Sequence, residues 1–377
     1  MKYKTRPLSE LCSLTNGYAF KSSDFCDSGI PVIKIANVKP NRILSDNLQC
    51  VPFEKLESAN RAVVKKGDIL LTMTGNRFEG TPDSWVGKTA RFDLDGLYLL
   101  NQRLCIVRPS DEIDPVYLAY ALSSWDSQLY FVKHATSSGG QANISPKIVN
   151  DFKIPYPPLE DQVRIASLLR TLDDKIRLNT QINKNLLEQA QAIYSDMFIA
   201  NTNPAWQNGH LSDLITVRYG KDHKKLADGS IPVYGSGGIM RYVERPLYDK
   251  ESVLIPRKGT LNNVIYVNEP FWSVDTMFFT EMKLPNVAKF VFHFVKSKDL
   301  ASLNAGSAVP SMTTEILNAM ELSIPDADSL SRFEGIVAPM YQTIQHNTQE
   351  SGKLAELRDS LLPRLMSGEI DVSCLNI

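Results

Sequence analysis

Cysteine is scarce and scattered in this chain. Cys12, Cys26, Cys50, Cys105 and Cys374 form no CxxC pair and no cluster with the five histidines at 134, 210, 223, 293 and 346. That argues against a disulfide framework or a zinc site and suits a reducing cytoplasm, the expected location. The histidines read as surface or packing residues. Charge of one sign is also missing: Lys+Arg number 41 and Asp+Glu 42, for a net charge of −1. Any surface for nucleic acid must therefore be local. The opening MKYKTRPLSELC has no apolar core, so no secretory signal is expected. Charges are spread along the longest helical pattern, so no membrane span is expected.

Catalytic motifs are missing as well. Val86-Gly87-Lys88-Thr89 resembles the end of a phosphate loop, but the earlier glycine such a loop needs is replaced by Pro82. Pro82-Asp83 could open a nuclease motif, yet no Glu-x-Lys follows at a useful spacing. Ile154-Pro155-Tyr156-Pro157-Pro158 is not the Asn/Asp-Pro-Pro-Tyr of an adenine methyltransferase, and there is no GxSxG. A chain that catalyses nothing by itself, and that holds no cofactor or metal of its own, is the expectation.

What is present is a long amphipathic pattern from about Pro157 to Phe198. Ile165, Leu168, Leu169, Leu172, Ile176, Ile182, Leu186, Leu187, Ala190, Ile193 and Met197 recur at helical spacing, with no proline or glycine after Pro158. Roughly 40 residues at about 1.5 Å each make a rod of about 60 Å, long enough to suggest a coiled coil or spacer.

The pattern recurs 168 residues later without a gap. Pro157 becomes Pro325 and Arg164 becomes Arg332. Ile165, Leu168, Leu169, Leu172 and Ile176 become Phe333, Ile336, Val337, Met340 and Ile344. Asn179-Thr180-Gln181 returns unchanged as Asn347-Thr348-Gln349. The preceding stretches match too, with an offset that drifts from 203 to 168. Leu8-Ser9-Glu10-Leu11 and Gly17 correspond to Leu211-Ser212-Asp213-Leu214 and Gly220. Ile30-Pro31-Val32 corresponds to Ile231-Pro232-Val233, and Gly75 to Gly259. The second unit is thus a copy shortened in its loops.

The expected organisation has four parts: a first globule over residues 1–156, a central long helix over 157–200, a second globule over 201–325 and a C-terminal long helix over 326–377. Many short strands and Gly-rich turns make each globule mainly β, so the fold class is α+β with internal duplication. The two long helices most simply pair antiparallel. Ser351-Gly352 should interrupt the second helix, and Pro363 should kink or end it. Written as heptads, both helices place an asparagine, Asn179 and Asn347, in the middle of an apolar stripe, where a buried polar residue can fix register. Solvent exposure of both is the alternative.

The loops of both globules carry side chains suited to reading DNA. The first offers Thr74, Asn76, Arg77, Lys88, Asn101, Gln102, Arg103, Lys133, Ser137, Ser138 and Gln141. The second offers Lys221, His223, Lys224, Lys225, Ser236, Arg241, Arg257, Lys258, Asn262 and Asn263. Arg and Lys pair with guanine, Asn and Gln with adenine, and the rest can hold phosphates. Gly75, Gly139, Gly140, Gly237, Gly238 and Gly259 would let backbone approach a phosphate.

The junction IPYPPLEDQVRIASLLRTLDDKI, the pattern GIPVIKIANV…GDILLTMTG and the closing LRDSLLPRLMSGEI make the whole chain resemble the specificity subunit of a type I restriction-modification enzyme, known as the S subunit or HsdS. The second junction departs from the pattern: Leu330 stands where the first has Gln162. The resemblance implies two target-recognition domains that each read one half of a split sequence in double-stranded DNA, and a helical pair that acts as a ruler. It also implies docking of two methyltransferase subunits and a motor-nuclease subunit, within a defence system that methylates DNA. S-adenosylmethionine, ATP and Mg²⁺ would belong to those partners. The competing reading is a non-catalytic scaffold or adaptor of a defence complex that binds protein through its helices and reads no DNA.

Overall fold

The computed structural model describes residues 3–46, 48–79, 84–138, 141–303 and 311–373. Gly139, Gly140, Pro82, Asp83, Cys374 and the side chain of Ser138 lie outside the described part. The chain forms two compact units. One comprises Met1–Leu178 with Glu350–Ile377, the other Asn179–Gln349, so the boundary cuts through both long helices. The class is α+β.

In the first unit a four-stranded antiparallel sheet has the order Thr89–Arg91, Ile69–Thr72, Leu104–Pro109, Cys12–Asn16. Ile30–Ile33 pairs in parallel with Tyr98–Leu100, and Lys4–Pro7 closes against Lys153–Tyr156. Ile69, Leu70 and Leu71 are fully buried, as an unbroken apolar run in a sheet covered on both faces should be. The helix Pro115–Ser123 starts where its sequence says it should. Asp114 Oδ1 accepts from the backbone N–H of Val116 and Tyr117, and Pro115 fills the first turn.

The second unit repeats these three pairings. Its sheet order is Ile215–Tyr219, Met277–Met282, Ser252–Pro256, Ile265–Val267, again antiparallel. Asp228–Gly235 pairs in parallel with Trp272–Ser273, and Gln207–His210 closes against Glu321–Ile324. Even the register agrees: Lys4 faces Tyr156, and their equivalents Gln207 and Ile324 face each other. Ser145 and Thr313, equivalent residues, cap equivalent short helices. The differences lie in the connections. The second unit has a hairpin, Asp228–Gly235 with Gly238–Val243, beside its parallel pair, whereas the first has the short strand Cys50–Val51 there.

The long helices run Leu159–Ser195, continued by a wider turn over Asp196–Ala200, and Ala327–Met366. Against the expected interruption, the second helix ends neither at Ser351-Gly352 nor at Pro363 and runs on to Met366. Gly352 faces open space, where a glycine costs about 1 kcal/mol relative to alanine. Pro363 sits among Leu362, Leu365 and Met366, all buried in the first unit's core. Burying such side chains is worth about 1.5–3 kcal/mol each, which offsets the roughly 3 kcal/mol an interior proline costs. Pro339 is carried in the same helix.

The two helices pair antiparallel in each unit. In the first, Asp173 meets Arg358 at 2.7 Å and Lys175 meets Glu350 at 3.3 Å. In the second, Asn179 Nδ2 donates to the Asn347 carbonyl at 3.4 Å, and Asn183 Nδ2 to the Ile344 carbonyl at 3.3 Å. Both central asparagines are buried, so the solvent-exposed alternative does not hold.

Each globule is also tied to the helices at one equivalent node. In the first unit the Tyr120 hydroxyl donates to Asp173 at 2.6 Å. In the second, the equivalent residues are His293 and Tyr341, and the Tyr341 hydroxyl donates to His293 Nε2 at 2.9 Å. His293 Nδ1 donates to Gln191 Oε1 at 2.8 Å, so the ring is held as one neutral tautomer. Burial, with Lys296 adding to it, lowers its pKa to about 3. Lys289, also buried, is bracketed by Glu251 at 2.8 Å and Glu334 at 2.7 Å. At the junctions, buried Gln162 accepts from the Asp114 backbone N–H and donates to the Pro157 carbonyl, both at 2.9 Å. Leu330 at the matching place joins the apolar core instead.

Candidate nucleic-acid interface

The candidate loops are positioned by glycines that admit no side chain. A Cβ on Gly17 would lie 2.1 Å from the Asn101 carbonyl oxygen, and one on Gly220 would lie 2.0 Å from that of Val274. This close approach lets the Gly17 N–H donate to the Leu104 carbonyl and the Gly220 N–H to that of Met277, each at 3.0 Å. Beside that contact two more hydrogen bonds recur. Met73 N–H donates to the Arg103 carbonyl at 2.9 Å, as Arg257 N–H does to that of Thr276 at 2.8 Å. Ile144 N–H donates to the Met73 carbonyl at 3.0 Å, as Met312 N–H does to that of Arg257 at 2.9 Å. The backbone thus builds one frame twice, and the side chains on it differ.

In the first unit this frame surrounds an open depression of about 380 Å³, lined by Asn16, Met73, Thr74, Gln102, Arg103, Asn143, Ile144 and Pro146. Thr74, Gln102 and Arg103 are therefore brought together. Thr74 itself is buried and donates to Asn143 Oδ1 at 2.8 Å, so it shapes the floor. Gln102 and Arg103 are exposed and make no side-chain hydrogen bond among the described residues. Asn101 is half-buried beside them, paired through its backbone with Tyr18.

The other candidates of this unit divide by environment. Arg77 is a structural cap: Nε donates to the Val132 carbonyl at 3.2 Å and Nη2 to those of Lys133 and Ala135, satisfying the end of the helix Trp125–His134. Lys88 is buried at 4% exposure. Asn76 Nδ2 donates to Ser84 Oγ at 3.0 Å. Lys133 and Gln141 are exposed, as is Ser137; the side chain of Ser138 is not described.

In the second unit Arg257 lies with its guanidinium carbon 5.4 Å from the centre of the Tyr219 ring and donates through Nη1 to the Asp275 carbonyl at 3.3 Å. Lys258 is exposed and bridges Ser311 through its backbone. Asn263 Nδ2 donates to the Ser236 carbonyl at 2.8 Å, which fastens the hairpin turn to this loop. Arg241 is held by the Leu226 carbonyl and Asp228, and Asn262 by Asp299 and the Ala301 N–H, so both stiffen the scaffold. Lys221, Lys224 and Lys225 are exposed and His223 is half-buried. The Lys224 N–H accepted by Asp222 holds that carboxyl below its usual range.

Asn16, Asn143, Tyr219 and Asp275 belong to this frame and were missed from sequence. The available signal was position: Asn16 and Tyr219 directly precede the matched glycines. Among the described residues, no group of His, Cys, Asp and Glu is arranged to hold a metal ion, and no helix is long and apolar enough to cross a membrane.

A sequence profile described as the type I restriction modification DNA specificity domain matches residues 1–188 and again 203–351. The MjaVIII type I restriction enzyme specificity subunit of Methanocaldococcus jannaschii is 29% identical over 188 residues, 49% of this chain but only 42% of that protein. The HindI specificity subunit of Haemophilus influenzae is 22% identical over 446 residues, covering 90% of this chain and 94% of that one. The fold is shared with the crystal structure of the S subunit of the type I restriction-modification system from M. genitalium, at a TM-score of 0.58 and 17% identity, covering 97% of this chain and 96% of that chain. With the profile matching both repeats, the chain belongs to the type I restriction-modification DNA specificity family.

Proposed function

We propose that this chain is the DNA-reading subunit of a type I restriction-modification complex, that its two globules read the two halves of a split target, and that it performs no chemistry itself. The observation that carries this reading is the duplicated frame. Two units share backbone hydrogen bonds to within about 0.1 Å while differing in every side chain that lines the frame. Shared scaffold with divergent loops suits two readers of different sequences. Exposed Gln102, Arg103, Lys133, Gln141, Lys221, Lys224 and Lys258 supply the local positive and amide surface that the overall charge does not.

In this reading the helix pair sets the spacing between half-sites, since each long helix contributes to both units. The helices and globules dock methyltransferase subunits and, where present, a motor-nuclease subunit. S-adenosylmethionine, ATP and Mg²⁺ serve those partners.

The purified full chain should shift duplex DNA in a gel, with affinity that falls steeply as salt rises, because phosphate contacts release counterions. It should transfer no methyl group from S-adenosylmethionine unaided. Absence of any DNA shift at low salt would favour a protein-only scaffold. Methyl transfer by the clean chain would overturn the non-catalytic assignment.

A further inference from the structure

We infer that Arg103 and Arg257 are one functional group, delivered to the same place in the two units from opposite sides of a single backbone hydrogen bond, and that each reads a guanine edge. In the first unit the bond runs from Met73 N–H to the Arg103 carbonyl, in the second from Arg257 N–H to the Thr276 carbonyl. Met73 is equivalent to Arg257, and Arg103 to Thr276. Each unit therefore has one arginine on this bond, but on exchanged strands. The partner position carries a residue without charge, Met73 or Thr276.

In the first unit both positions border the depression, Arg103 exposed and Met73 largely buried in the core beneath it. Met73 and Arg103 line the same depression, so a guanidinium from either strand can reach it. In the second unit Arg257 packs against Tyr219, the equivalent of Asn16, and spends one of its five donors on the Asp275 carbonyl. The fork is thereby held in place with donors left over. A planar fork matches the paired acceptors O6 and N7 of guanine in the major groove. A phosphate would also accept a fork, but Asp275, exposed beside Arg257, opposes a phosphate and can accept from the exocyclic amine of cytosine. Together Arg257 and Asp275 suit a G·C pair.

This inference rests on the DNA-reading function above, and the test separates the two. The chain is expressed with its methyltransferase subunit and the methylated motif is read by sequencing, for the natural chain, Arg103→Thr, and Met73→Arg with Arg103→Thr. The single variant should lose preference for one guanine in one half-site, by about 5- to 150-fold. The double variant, which returns the guanidinium from the other strand, should restore it at the same base position. The mirror pair, Arg257→Met alone and with Thr276→Arg, should do the same in the other half-site. It decides the matter where the first pair does not fold, as judged by thermal melting of the full chain.

An unchanged motif at undiminished level in the single variants overturns the base contact. A uniform loss across all sites, with the motif intact, assigns the arginines to phosphate and also overturns it. A single-variant defect that the second substitution fails to rescue overturns the exchange. Absence of any sequence-specific methylation that depends on the natural chain would instead refute the DNA-reading function.

Discussion

Asn179 donates from its side chain to the backbone carbonyl of Asn347, the residue that the repeat makes its own equivalent 168 positions later. In an antiparallel pairing, only the central positions can meet their own equivalents. The contact therefore identifies the middle of the helix pair. Asn347 Nδ2 donates in turn to Asn183 Oδ1 at 2.9 Å, and Asn183 reaches Thr348 at 3.3 Å. Polar groups buried in an apolar seam lose these bonds in any shifted register, which is how they specify one.

A chain carrying Asn179→Cys with Asn347→Cys should cross-link within itself under mild oxidation, with the bridged peptide identified by mass spectrometry. Failure to cross-link in a variant that melts like the natural chain would count against this register.

Gly17 and Gly220 leave no room for a methyl group. Gly17→Ala and Gly220→Ala should each destabilise the chain by more than about 2 kcal/mol, since backbone must move to relieve the clash. Gly237→Ala, with nothing within 4 Å of its Cβ position, is the control and should change little. Denaturant unfolding measures all three. Equal stability in all of them would mean that the frame is not held by close approach.

His293 makes stability depend on pH in a definite direction. Its pKa is lowered from 6.5 to about 3 by burial, so between those values the unfolded chain binds the extra proton. The contribution is present in full above about pH 6.5 and is lost as pH falls, at up to about 1.4 kcal/mol per unit. His293→Gln should be less stable than the natural chain at pH 7, yet lose less between pH 7 and about pH 4.5. Parallel declines of melting temperature would show that His293 is not the titrating group.

Most of the architecture was legible because duplication exposes it. A scaffold hydrogen bond needs only matching backbone, so Gly17 and Gly220, or Ile30-Pro31-Val32 and Ile231-Pro232-Val233, survive in both copies. The fate of single loop residues was not legible, since it depends on partners distant in sequence. Arg77 looks like a DNA contact until the helix end at Val132 to Ala135 is placed against it. Lys88 looks exposed in the sequence, yet the fold buries it. Gly352 and Pro363 weaken a helix by propensity, and only the core around Leu362, Leu365 and Met366 reveals why the helix continues. Asn16 and Tyr219 carry no charge and match no motif, so only geometry brought them to the frame.

Lengthening both long helices should change the spacing between half-sites and leave the bases read in each half unchanged. One heptad inserted between Leu172 and Asn179, and another between Met340 and Asn347, keeps the apolar seam in phase. Seven residues add roughly 10 Å of helix, or about three base pairs at about 3.4 Å each. The methylated motif should keep its half-site bases while its unread spacer lengthens, with weaker methylation because the second half-site also turns by roughly 100° on DNA of ~10.5 base pairs per turn. Methylation at the original spacing and undiminished level would remove the helices as the ruler.

The most direct test of the account is the motif methylated by a complex carrying Arg103→Ala or Arg257→Ala, read genome-wide beside that of the natural chain. The natural motif should be split into two specified halves around an unspecified spacer. Arg103→Ala should relax or weaken one half only, and Arg257→Ala only the other, each by roughly 1–3 kcal/mol. A continuous motif, or either substitution altering both halves equally, would contradict the claim that the two units read independently.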